Sequence, residues 1–134
     1  MTTSETFLTL LDSIRTLLRD YPIQADMTTV RVVDGERVVV QLAAGDLGAV
    51  AAGIVEWDRT LAAGRRTIER SSDGATVTLG LVGHVDEDGT DVEVYGTTPY
   101  DARRLGTDLL PGEATAVPFE VFAVWAIGSG RIIP

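Results

Sequence analysis

Two stretches of this chain alternate apolar and polar residues on either side of a turn-forming sequence, and no other feature restricts the fold as much. Thr28 to Val33 and Arg37 to Leu42 flank Asp34-Gly35. Thr76 to Val85 and Thr90 to Tyr95 flank Asp86-Glu87-Asp88-Gly89. A period of two sends alternate side chains to opposite faces of a strand, and Asp-Gly between two such runs marks a hairpin. The side chains also select the register, because a one-residue slip would carry the whole apolar set to the solvent. In the first hairpin a two-residue loop would pair Val32 with Arg37. A three-residue loop, Asp34 to Glu36, instead pairs Val32 with Val38, Val30 with Val40 and Thr28 with Leu42. That gathers the valines on one face and sets Arg31 across from Val39. In the second hairpin a four-residue loop pairs Val85 with Thr90, Gly83 with Val92 and Leu81 with Val94. His84 then faces Asp91, Val82 faces Glu93 and Gly80 faces Tyr95. One face is apolar and the other mixed, as in an antiparallel sheet covered on one side.

Helical periodicity brackets the first hairpin. Thr2 and Glu5 fit a capping box, and Phe7, Leu10, Leu11, Ile14, Leu17 and Leu18 recur at three-and-four spacing up to Asp20. Tyr21-Pro22 stops that helix, since a residue before proline avoids helical backbone angles. Its stripe is expected to face the core or to form a dimer seam. A second helix is expected from an Asp46 N-cap to about Ala63, with Gly64 as its C-terminal cap. Its small residues, Gly48, Ala49, Ala52 and Gly53, would let it lie close on a sheet. Arg66 to Arg70 reads as a further strand before the Ser71-Ser72-Asp73-Gly74 turn. Gly96 to Val117 reads as a long irregular segment with a helical turn around Tyr100 to Leu105. Phe119 to Ile127 is expected to be the final strand, apolar on both faces and so either central or in an interface.

These elements describe one α+β domain over residues 1–134, an antiparallel sheet of five or six strands with two helices packed on one face. Its core would span 1–95, its long loop 96–118 and its last strand 119–127.

Composition narrows the function. The chain has no lysine, asparagine or cysteine, and carries 20 acidic residues against 11 arginines, a net charge of -9. Without cysteine there is no disulfide framework, thiol nucleophile or cysteine-ligated metal. Excess acid argues against direct nucleic-acid binding, which depends on basic contacts to phosphate. No apolar run is long enough to span a bilayer, and no basic start precedes an apolar run, so a cytoplasmic location is expected. Seven acids and no arginine lie between Arg70 and Arg103. Of these, Asp86, Glu87, Asp88 and Asp91, with Glu93, form a candidate surface for a basic partner, and otherwise a solvated hairpin tip.

Residues with chemical potential are few. His84, the only histidine, would be oriented by Asp91 if it were a general base, but no serine or cysteine is placed beside it as a nucleophile. Asp86 to Asp91 lacks the ligand order of a calcium loop and joins two strands. Leu79-Gly80-Leu81-Val82-Gly83 lies inside a strand with no helix after it, which excludes a dinucleotide loop. Arg65-Arg66 and Arg103-Arg104 are the basic pairs. The first is accounted for by solvation at a helix terminus, and either could meet a phosphate or an acidic patch. Catalytic, cofactor and metal residues are therefore expected to be none.

The stretches 35–47 (Gly-Glu-Arg-Val-Val-Val-Gln-Leu-Ala-Ala-Gly-Asp-Leu) and 90–96 (Thr-Asp-Val-Glu-Val-Tyr-Gly) resemble small uncharacterised proteins of high-GC actinobacteria and of their phages or integrative elements. The resemblance covers about residues 28–96, concerns fold rather than chemistry, and implies no catalytic residue. The expected function is a non-enzymatic protein-interaction module, a homodimer and accessory protein of a phage or mobile element, with Phe122, Val124 and Trp125 at the interface. The alternatives are an acidic inhibitor that mimics nucleic acid through residues 86–93, and a small ligand-binding domain or enzyme with 96–117 as its lid.

Overall fold

The computed structural model of the chain describes residues 3–20, 23, 27–86 and 88–127. The elements run α1 (Thr3–Asp20), β1 (Met27–Val33), β2 (Arg37–Leu42), α2 (Leu47–Asp58), β3 (Ala62–Arg70), β4 (Thr76–His84), β5 (Asp91–Pro99), α3 (Ala102–Leu105), β6 (Ala114–Ala116) and α4 (Phe119–Ile127). The class is α+β. The sheet has six strands in the order β1-β2-β5-β4-β3-β6.

Both hairpins take the register that their side chains select. Val32 pairs with Val38, Val30 with Val40 and Arg31 with Val39. Asp34 and Gly35 both have positive φ, 56° and 65°, the conformation of a type I′ turn, with Glu36 as an extra residue before β2. A bulge between Met27 and Thr29 moves Leu42 opposite Met27 instead of Thr28. In the second hairpin Gly83 pairs with Val92, Leu81 with Val94, His84 with Asp91, Val82 with Glu93 and Gly80 with Tyr95. The Val85 N–H donates to the Thr90 carbonyl to close the turn.

One pairing departs from an antiparallel sheet: β2 and β5 are parallel. After β2 the chain crosses the sheet through α2 and enters β3 at a distance. The β4–β5 hairpin then fills the gap, and β5 arrives alongside β2 in the same direction. Helix α2 is shorter than its apolar spacing suggests. Asp46 caps it by accepting from the Ala49 N–H, but it ends at Asp58. The Thr60 N–H and hydroxyl both donate to the Trp57 carbonyl, and Ala62 is already paired with His84 in β3.

The core lies between the helices and one face of the sheet. Val38, Val40, Leu42, Ile68, Val77, Leu79, Leu81, Val92 and Val94 from the strands meet Leu10, Ile14 and Leu17 of α1 and Val50, Ile54 and Trp57 of α2. Leu11 of α1 is half-buried, and Leu18 packs at the margin of this core. Gly96 sits where a Cβ would come within 2.7 Å of Val50 Cγ1, so glycine there allows α2 to lie down on β5.

The last third of the chain differs most from expectation. Phe119 to Ile127 is helix α4, not a strand. Residues apolar at nearly every position satisfy a period of two and of 3.6 equally, so pattern alone cannot separate the two. Pro118 decides it: its carbonyl receives the Val121 N–H in the first turn, and proline is favoured at a helix start. Helix α4 packs along α2 and buries Phe122 and Ala126, one turn apart. The expected irregular segment holds the end of β5, the short α3 and the edge strand β6. Asp101 caps α3 at its start, and Gly106 closes it with φ 76°.

Candidate interaction surface

Among the described residues, no element covers the second face of the sheet. Register places its side chains in rows across the strands. One row reads Arg31, Val39, Glu93, Val82, Arg65; the next reads Thr29, Gln41, Tyr95, Gly80, Thr67. A third carries Thr97, Thr78 and Glu69. At the turn end lie Arg37, Asp91 and His84. Val82 is 42% exposed on this face, whereas Val39 is enclosed by its neighbours at 3%. Arg37 and Glu93 form a loose ion pair at 3.7 Å. His84 and Asp91 are register neighbours, but no ion pair joins them.

The two edges of the sheet are unequal. β6 is three residues long and runs into Val117-Pro118, which blunts it. β1 is seven residues long, holds no proline and no acid, and is exposed from Thr28 to Arg31. Among the described residues no strand lies outside it. The Val33 carbonyl accepts from Glu36 at the turn and so points into the hairpin. Backbone groups alternate sides along an antiparallel strand, so those of Val30 and Val32 point outward. Val30 is 37% exposed.

The acidic set expected to form a partner surface is split by this geometry. Asp86 and Asp88 are at the exposed tip, Asp91 and Glu93 are on the uncovered sheet face, and Glu87 lies outside the described residues. Asp88 is tied to helix α1: Ser13 Oγ donates to its Oδ2 at 2.7 Å, and the Thr90 N–H donates to Oδ1 at 3.0 Å. Partial desolvation pushes the Asp88 carboxyl up, but the bonds from Ser13 and Thr90 together outweigh it and hold the group below its ordinary value. Asp73 is lowered likewise, first by Ser71 Oγ and then by the Ala75 N–H. Sequence reading missed the Ser13–Asp88 link because the partners are 75 residues apart and nothing local signals it.

The three residues expected at an interface separate on α4. Phe122 is fully enclosed in the core, Trp125 is half-buried with its ring 5.4 Å from that of Phe122, and Val124 is 66% exposed. The arginine pairs also separate. Arg65 and Arg66 lie in strand β3, not at a helix terminus, so helix-end solvation does not account for them. Arg65 points to the uncovered face. Arg66 turns inward, donates to Asp58 Oδ2 at 2.6 Å, and lies 5.9 Å from the centre of the Phe119 ring. Arg103 and Arg104 are exposed in the last turn of α3.

Segment 96–117 is fastened to the sheet along its length. Arg70 stacks 3.7 Å over the Tyr100 ring and donates to the Leu109 carbonyl at 2.6 Å. The Tyr100 hydroxyl donates to Asp108 and accepts from the Leu109 N–H. Leu105, Leu109 and Val117 are buried. The segment is thus part of the packed structure.

No protein-family model, curated protein or solved structure matches the chain.

Among the described residues, cavities open at several places around the fold. One of about 460 Å³ lies between α1 and the acidic tip, lined by Asp12, Ser13, Thr16, Asp20, Asp86 and Asp88 among others. One of about 560 Å³ opens at the carboxyl ends of the parallel strands β2 and β5, lined mainly by apolar surface from Ala44, Leu47, Pro99 and Leu105, with Asp46, Asp101 and Arg104 at its rim. Both rim carboxylates already serve as helix caps. Among the described residues, no three His, Cys, Asp or Glu side chains converge to hold a metal, and no helix is long and apolar enough to cross a membrane.

Proposed function

We propose that this protein is a non-enzymatic interaction module that works as a homodimer. One observation carries the reading: among the described residues, a six-stranded sheet whose second face is uncovered ends on one side in a long strand whose one edge-protecting device is a bulge at its start. Proteins that stay monomeric blunt such edges with proline, bulges, inward charge or a covering element. β6 has that treatment and β1 has only the bulge near its first residue. Two-fold contacts are the commonest way for identical chains to close an exposed surface. The test is molar mass by light scattering across a dilution series. A dimer at micromolar concentration is expected, and a monomer at high micromolar concentration overturns the reading.

Docking of a basic partner at the acidic tip is a second reading. The network from Ser13 and Thr90 favours it, because it keeps Asp88 charged and fixed beside Asp86. Binding of this kind would weaken steeply with added salt.

A further inference from the structure

We infer that two copies join edge to edge through β1, antiparallel and about a two-fold axis at Val30, so that two six-stranded sheets become one. The inference rests on the homodimer reading and assigns its contact. Three features of β1 point to a second copy of the same strand. First, its outward backbone groups belong to Val30 and Val32, the alternates of Val33, whose carbonyl is engaged in the hairpin. An antiparallel partner centred on Val30 brings Val30 opposite itself as a hydrogen-bonded pair and sets Val32 opposite Thr28. The outward donors and acceptors of one strand thus meet those of the other. Second, Val30 lies on the helix-covered face beside Val40 and is 37% exposed, so its self-pairing covers the apolar surface that the single chain leaves open. Third, charge permits the approach. The chain carries -9, but β1 has no acid, and its one charge, Arg31, falls opposite Thr29 of the second copy rather than opposite the other Arg31. The short edge at β6 offers no comparable run, so the association closes at two copies.

This register has a direct readout, since the chain has no cysteine. Thr29 and the second copy's Arg31 would form a non-hydrogen-bonded pair with Cα atoms about 4.5 Å apart, inside the disulfide range, whereas two copies of Thr29 would lie on a diagonal of about 7–8 Å. The experiment mixes Thr29→Cys and Arg31→Cys proteins under mild oxidation and follows cross-linked species by mass. The mixed disulfide is expected to dominate over either self-disulfide. In parallel, Val30→Lys is expected to raise the dimer dissociation constant by about tenfold or more, with an unchanged circular dichroism spectrum. Val30→Pro should act alike, because the N–H it removes points away from β2. A wild-type monomer would overturn the homodimer reading and this one together. A wild-type dimer that persists in Val30→Lys and gives no excess of the mixed disulfide overturns the β1 assignment alone. If Val30→Lys does not fold, the cross-linking result decides.

Discussion

Arg66 and Asp58 form the most enclosed ion pair in the described structure, with side chains 20% and 9% exposed. Arg66 Nε makes no hydrogen bond and is buried, so the guanidinium depends on Asp58. Asp58→Ala leaves that charge enclosed without a counter-charge and should cost about 3–5 kcal/mol in denaturant unfolding. The double change Asp58→Leu, Arg66→Met should recover most of the loss, because apolar replacement of both partners removes the stranded charge. Gly64 guards the same pair: a Cβ there would sit 2.6 Å from Asp58 Oδ1. The sequence contains these residues but no sign of their meeting. Arg66 looked like half of a basic pair, and only the turn from α2 into β3 brings Asp58 under it. A second residue-scale expectation concerns pH. The Asp88 carboxyl sits below the ordinary 3.8 in the folded chain. A lowered folded-state pKa contributes stability that is present above the unfolded value and is lost as pH falls through the folded one, here in the range below 3.8. Asp88 is exposed at the tip, so the contribution is at most about 1 kcal/mol. Carboxyl titration by NMR should show Asp88 rising toward its ordinary value in Ser13→Ala. An unmoved titration would mean that the Ser13 bond does not form in solution.

Among the elements, α4 separates core from surface most sharply. Phe122→Ala should cost about 3–5 kcal/mol as an enclosed aromatic lost from the packing of α4 on α2. Val124→Asp, two residues on and 66% exposed, should leave the melting temperature nearly unchanged. If light scattering shows the wild type to be a dimer and Val124→Asp a monomer, the contact between copies lies on α4 and not on β1. In the first helix, Ile14→Ala should destabilise more than Leu11→Ala, since Ile14 is 3% exposed and Leu11 is half-buried. The stripe was readable from spacing, but not which of its residues lie at the centre. The hairpins were readable down to individual pairs, because a period of two against a fixed turn leaves few registers. The same reasoning failed at Phe119 to Ile127, where the absence of polar residues erased the period. It failed at Ala114 to Ala116 because three small residues carry no pattern of their own and become a strand only by pairing with Thr67 to Glu69.

For the whole molecule, charge and shape act against each other. Two chains of -9 repel, so a dimer built on the acid-free strand should tighten as salt rises from about 10 to 150 mM and the Debye length falls from about 30 to 8 Å. Weakening with salt would instead place opposite charges at the contact. The one parallel pairing has a consequence of a different sort. The first half of the chain supplies β1, β2 and β3 and leaves β2 and β3 apart; the second half supplies the hairpin that fits between them, and β6. A nascent chain therefore holds two unjoined sheet halves until residue 99 has emerged, and neither half is a domain alone. A chain cut in the exposed turn at Ser72–Asp73 should yield two polypeptides that are unfolded apart and assemble on mixing, since each is the missing interior of the other.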